Sequence, residues 1–490
     1  MHLAVLAGAS LATGVGLVVV PTHDRALAAP THQTAVAAEN RLAGARRWLG
    51  PEATAGAIEI YASATDAVPG DTVDLHVSTG TSARYRVAVY RLGWYQGFGA
   101  RKVACSPGCD LSALGEPQPV PQPDGAGTVV ANWPVTDEIT IGDGWVSGLY
   151  AVRARLLSGP QAGNSATTYL VVRQPHSSSR MLVQIPTNTW QAYNGWGGKS
   201  LYPFSSRDGR PAIKVSYDRP YAWSLPGGQG PLGWELPLLR FIERHGYDVT
   251  YQSDVFTAAH PNSLLRHRLV VVAGHSEYWT KSMRDGFDHA RDSGVNLAFM
   301  GANAAYWQVN LIDSGRTILA YKSMYDPNPD SSLKTAMFRE LIPARLECGL
   351  IGIQHQGVGL YWAAGDYTVM SSAFSSSWLT DTGFHTGDVV RGVVSVESDS
   401  IPGDQTAASS CGNHLTVLFH RQHGGDKDGN ADSTVYSAPS GARVFASGSH
   451  QFSWGLDDFP ADPDQGHGLV DPRLQRFTLH MFDDLTSPLG

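Results

Sequence analysis

Residues 274–280 read GHSEYWT and follow LVVVAG, an apolar run that reads as a buried strand. A chain leaving the core there presents His275, Glu277, Tyr278 and Trp279 within five residues. A second stretch matches it: VNLAFMG (295–301) runs into ANAAYWQ, which puts Tyr306 and Trp307 just past another strand end. Two phenols on one rim with a carboxylate make a hard oxygen donor set, and such a set suits a hard cation such as Fe(III). Glu347, in RLECGLIGIQ ahead of a further strand, is the candidate carboxylate. Its alternative is an ion pair with Arg345. The element Gly301-Ala302-Asn303-Ala304-Ala305 has the shape of a strand-to-helix elbow, on which hydrolases carry a nucleophile. Asn303, its middle residue, is not a nucleophile, and no G-x-S-x-G occurs. Covalent catalysis by Ser or Cys is disfavoured, which leaves metal-assisted or carboxylate chemistry. Taken singly, each tyrosine also reads as a structural aromatic with its hydroxyl at a wet edge.

Other stretches carry weaker signals. TNTWQAYNGWGGKSLYPF (187–204) is rich in Trp, Tyr, Asn and Gly and reads as a ligand-stacking loop or pocket wall. HRQH (420–423), followed by GGDKDGNAD, fails the EF-hand pattern and reads as a solvated hairpin turn. Asp457 and Asp458 in SWGLDDF read as residues that cap or end an element.

The elements that must position these residues change character along the chain. Residues 57–173 hold short β-branched and aromatic runs (IEIYAS, TVDLHVST, RYRVAVYRLG, WVSGLYAVRARL, ATTYLVVRQ) separated by Gly, Pro, Asp and Ser. This pattern predicts an all-β N-terminal domain, an immunoglobulin-like β-sandwich. RQPHSSSR (173–180) is a linker. From 181 to 490, strands alternate with helices: strand 181–186, helix 235–246, strand 247–254, a short helix at 260–266, strand 268–274, helix 280–294 and strand 295–303. That alternation predicts a doubly wound α/β domain with a parallel sheet, in which ligands bind beyond the carboxyl ends of the strands. Residues 350–490 carry more strands (IGIQHQ, RGVVSVES, HLTVLFH, ARVFASGS) and a final helix. Whether they extend the sheet or form their own layer stays open at this point.

At 490 residues, two or three domains are expected, and 42% hydrophobic against 16% charged residues suffices for real cores. A net charge of −8 with no long Lys/Arg cluster argues against nucleic acid as a partner. Residues 3–20 are apolar and small, and Ala26-Leu27-Ala28 fits a cleavage site, so residues 1–29 read as a secretory signal cut near Ala28. The product would be secreted or held at the cell surface. The n-region lacks Lys and Arg, and retention as an anchor is the alternative. No membrane span is expected in the mature chain. Residues 30–56 read as a linker. Four cysteines in an exported chain favour two disulfides, Cys105–Cys109 across the Pro-Gly turn of CSPGC and Cys348–Cys411.

Taken together, IYASATDAVPGDTVDLHVST, YRVAVYRLGWYQGFGARKV, PTNTWQAYNGWGGKSLY, GHSEYW, FMGANAAYW and ASGSHQFSWGLDDF resemble the N,N-dimethylformamidase large (beta) subunit-like family, over about 57–485. The resemblance implies a glutamine-amidotransferase-like α/β domain without the cysteine nucleophile. It also implies a mononuclear iron held by two tyrosines and a glutamate, matched here by Tyr278, Tyr306 and Glu347. Tyr217, Tyr247 and Tyr251 are rivals for the phenol positions. The implied reaction is hydrolysis of a small amide, with iron (Fe3+) as Lewis acid. His275 or Glu277 would relay protons, Asn303 would donate to the oxyanion, and Trp190, Trp196, Trp279 and Trp307 would wall a dry pocket. The family enzyme has a longer large subunit and works with a small one, so a small partner subunit or a homo-oligomer is left open. Two other readings stand beside this one. The chain could be an exported, non-catalytic binding protein for a glycan or cell-envelope component, or a glycosidase using Glu277 and Glu347.

Overall fold

The computed structural model describes residues 34–46, 48–222, 233–358, 365–395, 397–403, 411, 414–422, 430–459 and 468–487. The segment read as a signal (1–29) and most of the turn after HRQH lie outside the described residues. The architecture is mixed α/β, with many strands in several sheets and few helices.

From Ile58 to Val172 the chain contains strands and turns but no α-helix. Ala83–Leu92 shows why: its residues alternate between buried and partly exposed, the period-two pattern of a half-buried strand. Ile58–Ala62, Thr72–Thr79 and Asp137–Thr140 form a three-stranded sheet. A second sheet is built around Ala83–Leu92, Gly148–Leu156 and Ser165–Val172. Ile60, Val73 and Leu75 from the first sheet share one core cluster with Val87, Val89, Val152 and Leu170 from the second. Cys105 and Cys109 are joined, as are Cys348 and Cys411, with Cα atoms 5.0 and 5.3 Å apart.

After residue 180 the pattern changes. Met181–Ile185, Val249–Ser253, Leu269–Ala273 and Asn296–Met300 are buried at every position. Both faces of these strands are covered, so burial does not alternate along them; Leu269–Ala273 is wholly apolar, while Val249–Ser253 buries Thr250, Gln252 and Ser253 as well. They pair in parallel in the order 249–253, 181–185, 269–273 and 296–300, and Arg443–Ala446 joins in parallel beside the last. The parallel sheet expected from the sequence is present, but it is only part of the whole. Ala431–Ser437, Thr416–Arg421, Gly365–Val369 and Val389–Val394 continue it antiparallel to nine strands. The open question about residues 350–490 is answered: four of their strands and Arg443–Ala446 extend the sheet.

Helix Lys281–Asp292 begins at Thr280, whose hydroxyl accepts from the Met283 amide, and Gly294 follows it at φ 89°. It buries Met283, Phe287 and Ala290 at i, i+4 and i+7 against one face of the sheet. Burying Phe287 alone contributes about 2 kcal/mol. Helices Glu235–Arg244 and Pro472–Thr486 pack in a different core cluster.

Three local expectations are corrected. Residues 187–193, read as part of a loop, form helix Thr187–Tyr193, whose first six residues are all buried. With polar and apolar residues alike buried, it shows no amphipathic period. The elbow at Gly301 leads into strand Trp307–Ile312, not a helix, because Asn303 and Ala305 take φ of 51° and 52° and turn the chain sharply. The short helix at 260–266 is a 3-10 segment, Pro261–Arg266, and an α-helix, Asp254–Ala259, precedes it.

Candidate functional site

The site lies where two parallel strands end side by side. A Cβ on Gly301 would fall 1.8 Å from the carbonyl oxygen of Gly274, so glycine is required for the two turns to pass this closely. Beyond the turns, Tyr278–Thr280 and Trp307–Ile312 pair in parallel as part of a small separate sheet, with Tyr278 opposite Trp307. Tyr278 and Trp307 thus stand side by side, while Trp279 turns into the core.

His275, the residue after Gly274, is 4% exposed. Its Nε2 stands 3.3 Å from Glu277 Oε2 and 3.2 Å from Glu397 Oε2. Neither contact has hydrogen-bond geometry, so Nε2 is a buried polar atom without a hydrogen-bond partner. Burial alone would lower the imidazolium pKa, but the two carboxylates outweigh it and hold it up at about 10. Burial likewise works to raise the Glu397 carboxyl, while His275 and His450 hold it well below the usual range.

Glu277 accepts from Tyr202 Oη at 2.7 Å and from Tyr193 Oη at 2.9 Å. Glu397 Oε2 lies 3.2 Å from His450 Nε2 and accepts from Asn303 Nδ2 at 3.1 Å. The Asn303 backbone amide meets both oxygens of Asp399, at 2.9 and 3.0 Å. Asn303 thus ties two carboxylates together, and its own Oδ1 is left without a partner. Glu235, at the start of helix Glu235–Arg244, accepts from the His275 amide at 3.4 Å, and burial pushes its carboxyl up to about 7. Lys322, held at φ 56°, donates to Tyr278 Oη at 3.0 Å. Its ammonium lies over the rings of Tyr202 and Trp307, and burial lowers it to about 8.

The residues expected from the sequence divide. His275, Glu277 and Asn303 meet in one cluster around Glu397. Tyr278 borders it through Lys322. Tyr306 stands with its ring edge-on to His355 and under the Arg339 guanidinium. Arg339 Nε is 3.1 Å from both oxygens of Glu347, so it links Tyr306 to Glu347. The ion pair foreseen for Glu347 therefore exists, but with Arg339; Arg345 pairs instead with Asp285 and Asp288. Among the tryptophans, Trp307 meets the site under Lys322. Trp279 is packed in the core with Phe287 and Phe299, Trp190 lies against Tyr169, and Trp196 packs on Trp133 and donates to Glu59. The rival tyrosines are engaged elsewhere: Tyr217 with Asn188, Tyr247 with Asp483 and Tyr251 with Glu243. Asp457 is also committed, in a buried pair with Arg240.

Sequence reasoning missed Glu397, His450 and Lys322, and it reached Tyr193 and Tyr202 only through the stretch 187–204, read as a ligand-stacking loop or pocket wall. His450 carried a usable signal: like His275, it follows a strand of the parallel sheet, Arg443–Ala446, in SGSHQF. Glu397 carried none. It starts a strand paired with Gln354–Val358, outside the main sheet.

His275, Glu397 and His450 each offer a ligand atom, all within 4.8 Å of one another, so the group could hold a metal ion. The chemistry of the donor set fits at two of the three: an imidazole nitrogen without a hydrogen bond and an anionic carboxylate beside it. A positive charge is favoured between Glu277 and Glu397, whether as a proton on Nε2 or as a cation bound there. Among the described residues, no helix is long and apolar enough to cross a membrane.

Comparison with known proteins gives one strong match. The family described as N,N-dimethylformamidase beta subunit-like, C-terminal, matches residues 86–467. No curated protein matches the chain. Solved structures with local likeness include the sulfur carrier protein SoxY from Chlorobium limicola f thiosulfatophilum, at 15% identity over 26% of this chain and 86% of that one, with a TM-score of 0.14. Domain 1 of VCBP3 from Branchiostoma floridae is similar at 14% identity, over 24% of this chain and 96% of that one, with a TM-score of 0.16. At such scores neither likeness carries an argument about fold or function.

Proposed function

The chain belongs to the N,N-dimethylformamidase beta subunit-like family, and from that membership and the His275 cluster we propose that it hydrolyses the C–N bond of a small amide. The observation that carries the reading is the Nε2 of His275, buried between two carboxylates without a hydrogen-bond partner at the ends of the parallel strands. Polar groups converging there, beside aromatic walls, are what a small amide requires.

The proposal includes a metal. His275 and Glu397 are the members of the cluster that would hold it, and the family resemblance adds Tyr278, Tyr306 and Glu347. Bound there, iron would supply Lewis acidity, polarising the amide carbonyl and easing deprotonation of water. The chain's own groups divide the remaining work. Glu277, fixed by Tyr193 and Tyr202, takes the proton from water as its oxygen adds to the carbonyl carbon. The second Nδ2 hydrogen of Asn303 is the donor for the developing oxyanion. As the C–N bond breaks, the proton held by Glu277 passes to the leaving nitrogen, so an acid and an amine are released. In this reading residues 57–173 form an immunoglobulin-like sandwich, residues 181–490 a glutamine-amidotransferase-like catalytic domain, and the chain is exported.

The test is amine or ammonia release from formamide, N-methylformamide, N,N-dimethylformamide and acetamide, with iron measured in the same preparation. Release that is lost on chelation and restored by iron is the expected result. Loss of iron in Tyr278→Phe and Glu347→Gln, but not in His275→Gln, would assign the metal to the tyrosine set. The reverse would assign it to the His275 cluster. A folded, iron-replete chain that releases no amine from any of the four overturns the hydrolase and favours an exported binding protein.

A further inference from the structure

His450 is fully buried, with its ring against those of Trp234 (centroids 4.7 Å apart) and His275 (4.3 Å), which also touch each other. Its two nitrogens face different chemistry. The backbone N–H of Ala302 points at Nδ1 from 3.2 Å. A backbone amide can only donate, so Nδ1 accepts and carries no hydrogen. The single hydrogen of the neutral ring therefore sits on Nε2, which stands 3.2 Å from Glu397 Oε2. An imidazolium would set an N–H against the Ala302 N–H. A metal at Nε2 would strip both nitrogens of hydrogen or break the Ala302 contact. Glu397 Oε2 also receives Asn303 Nδ2 at 3.1 Å. His450 and Glu397 are thus close because they are hydrogen-bonded to each other.

We propose that His450 is a positioning residue and not a metal ligand: its Nε2–H, with Asn303 Nδ2, fixes the Glu397 carboxylate beside His275. His275 Nε2, which has no hydrogen-bond partner, is then left to face a cation or a substrate. The inference concerns the same site as the proposed hydrolase but does not depend on the metal.

The test uses the full chain. Glutamine can place an amide N–H where Nε2–H stands; leucine cannot. His450→Leu is expected to weaken binding of ferrous iron about 10- to 100-fold, the usual cost of losing an outer hydrogen bond to a ligand, and His450→Gln to restore it to within about threefold. His275→Gln is expected to lose the cluster's metal. Loss of iron in His450→Gln as complete as in His275→Gln overturns the proposal. Nitrogen NMR of histidine-labelled protein, with the His450 signals assigned by their absence in His450→Gln, gives a second readout. Protonated Nε2 with bare Nδ1 is expected, and the opposite tautomer overturns the assignment. If wild-type protein binds no iron, the metal reading fails, and the tautomer alone decides this one.

Discussion

Arg91 and His275 are both buried cations beside carboxylate oxygens, yet their surroundings differ. Arg91 reaches from the N-terminal strands to Glu243 on helix Glu235–Arg244, with two hydrogen bonds at 2.9 and 2.8 Å. Its remaining N–H groups go to Tyr95 and to the carbonyls of Leu92, Val146 and Ser147. Glu243 also accepts from Asn40 and Tyr251. No polar atom of this cluster is left over. At the other end of the same helix, Glu235 Oε2, His275 Nε2 and Asn303 Oδ1 are all buried and unpartnered. A buried network with every group satisfied is explained by the fold it joins. One with gaps costs the fold stability and points to a partner the chain does not supply. The helix carries both: Glu243 anchors its C-terminal end, and Glu235 meets the site at its N-terminal end.

The contrast can be broken most directly at the anchor. Arg91→Leu leaves Glu243 buried without its cation and should cost on the order of 3–5 kcal/mol in urea unfolding. A loss under about 1 kcal/mol would mean the anchor is no more structural than the site. The matching change, His275→Gln, should lower amide turnover about 100-fold or more while costing less stability than Arg91→Leu, because Glu277 keeps Tyr193 and Tyr202 and Glu397 keeps His450 and Asn303. A stability loss as large as that of Arg91→Leu would erase the distinction. The smallest effect is a pH slope. Burial holds Glu235 protonated up to about pH 7, whereas in the unfolded chain it ionises near 4.5. Its contribution is therefore complete below about 4.5 and is lost as pH rises to about 7, on the order of 3 kcal/mol. Asp254, also raised to about 7 by burial, acts in the same window. Glu235→Gln should flatten part of the slope of unfolding midpoint against pH, and an unchanged slope would place Glu235 outside the strained cluster.

Much of the frame was legible from the residues. The switch from alternating runs to uninterrupted ones at Met181 marked where strands become covered on both faces. The Gly stop of Lys281–Asp292 and the pairing within CSPGC were equally local. The helix Thr187–Tyr193 escaped because it is buried nearly all round and shows no period. At the site, His275 and Glu277 could be found because they follow a strand end within one short segment. Glu397 could not, since its place beside His275 depends on a strand 122 positions later in the chain.

By itself the sequence determined which side chains stand at each strand end, because those choices follow local rules of periodicity, turn chemistry and capping. It also carried the motifs that place the chain in its family. Only the tertiary structure decided which of those groups meet. Tyr193, Tyr202, Lys322, Glu397 and His450 reach His275 and Glu277 from distant segments through sheet order and turn geometry. Hydrogen-bond direction decided roles as well: the Ala302 amide sets where His450 carries its hydrogen, and no spacing of residue types along a chain encodes that.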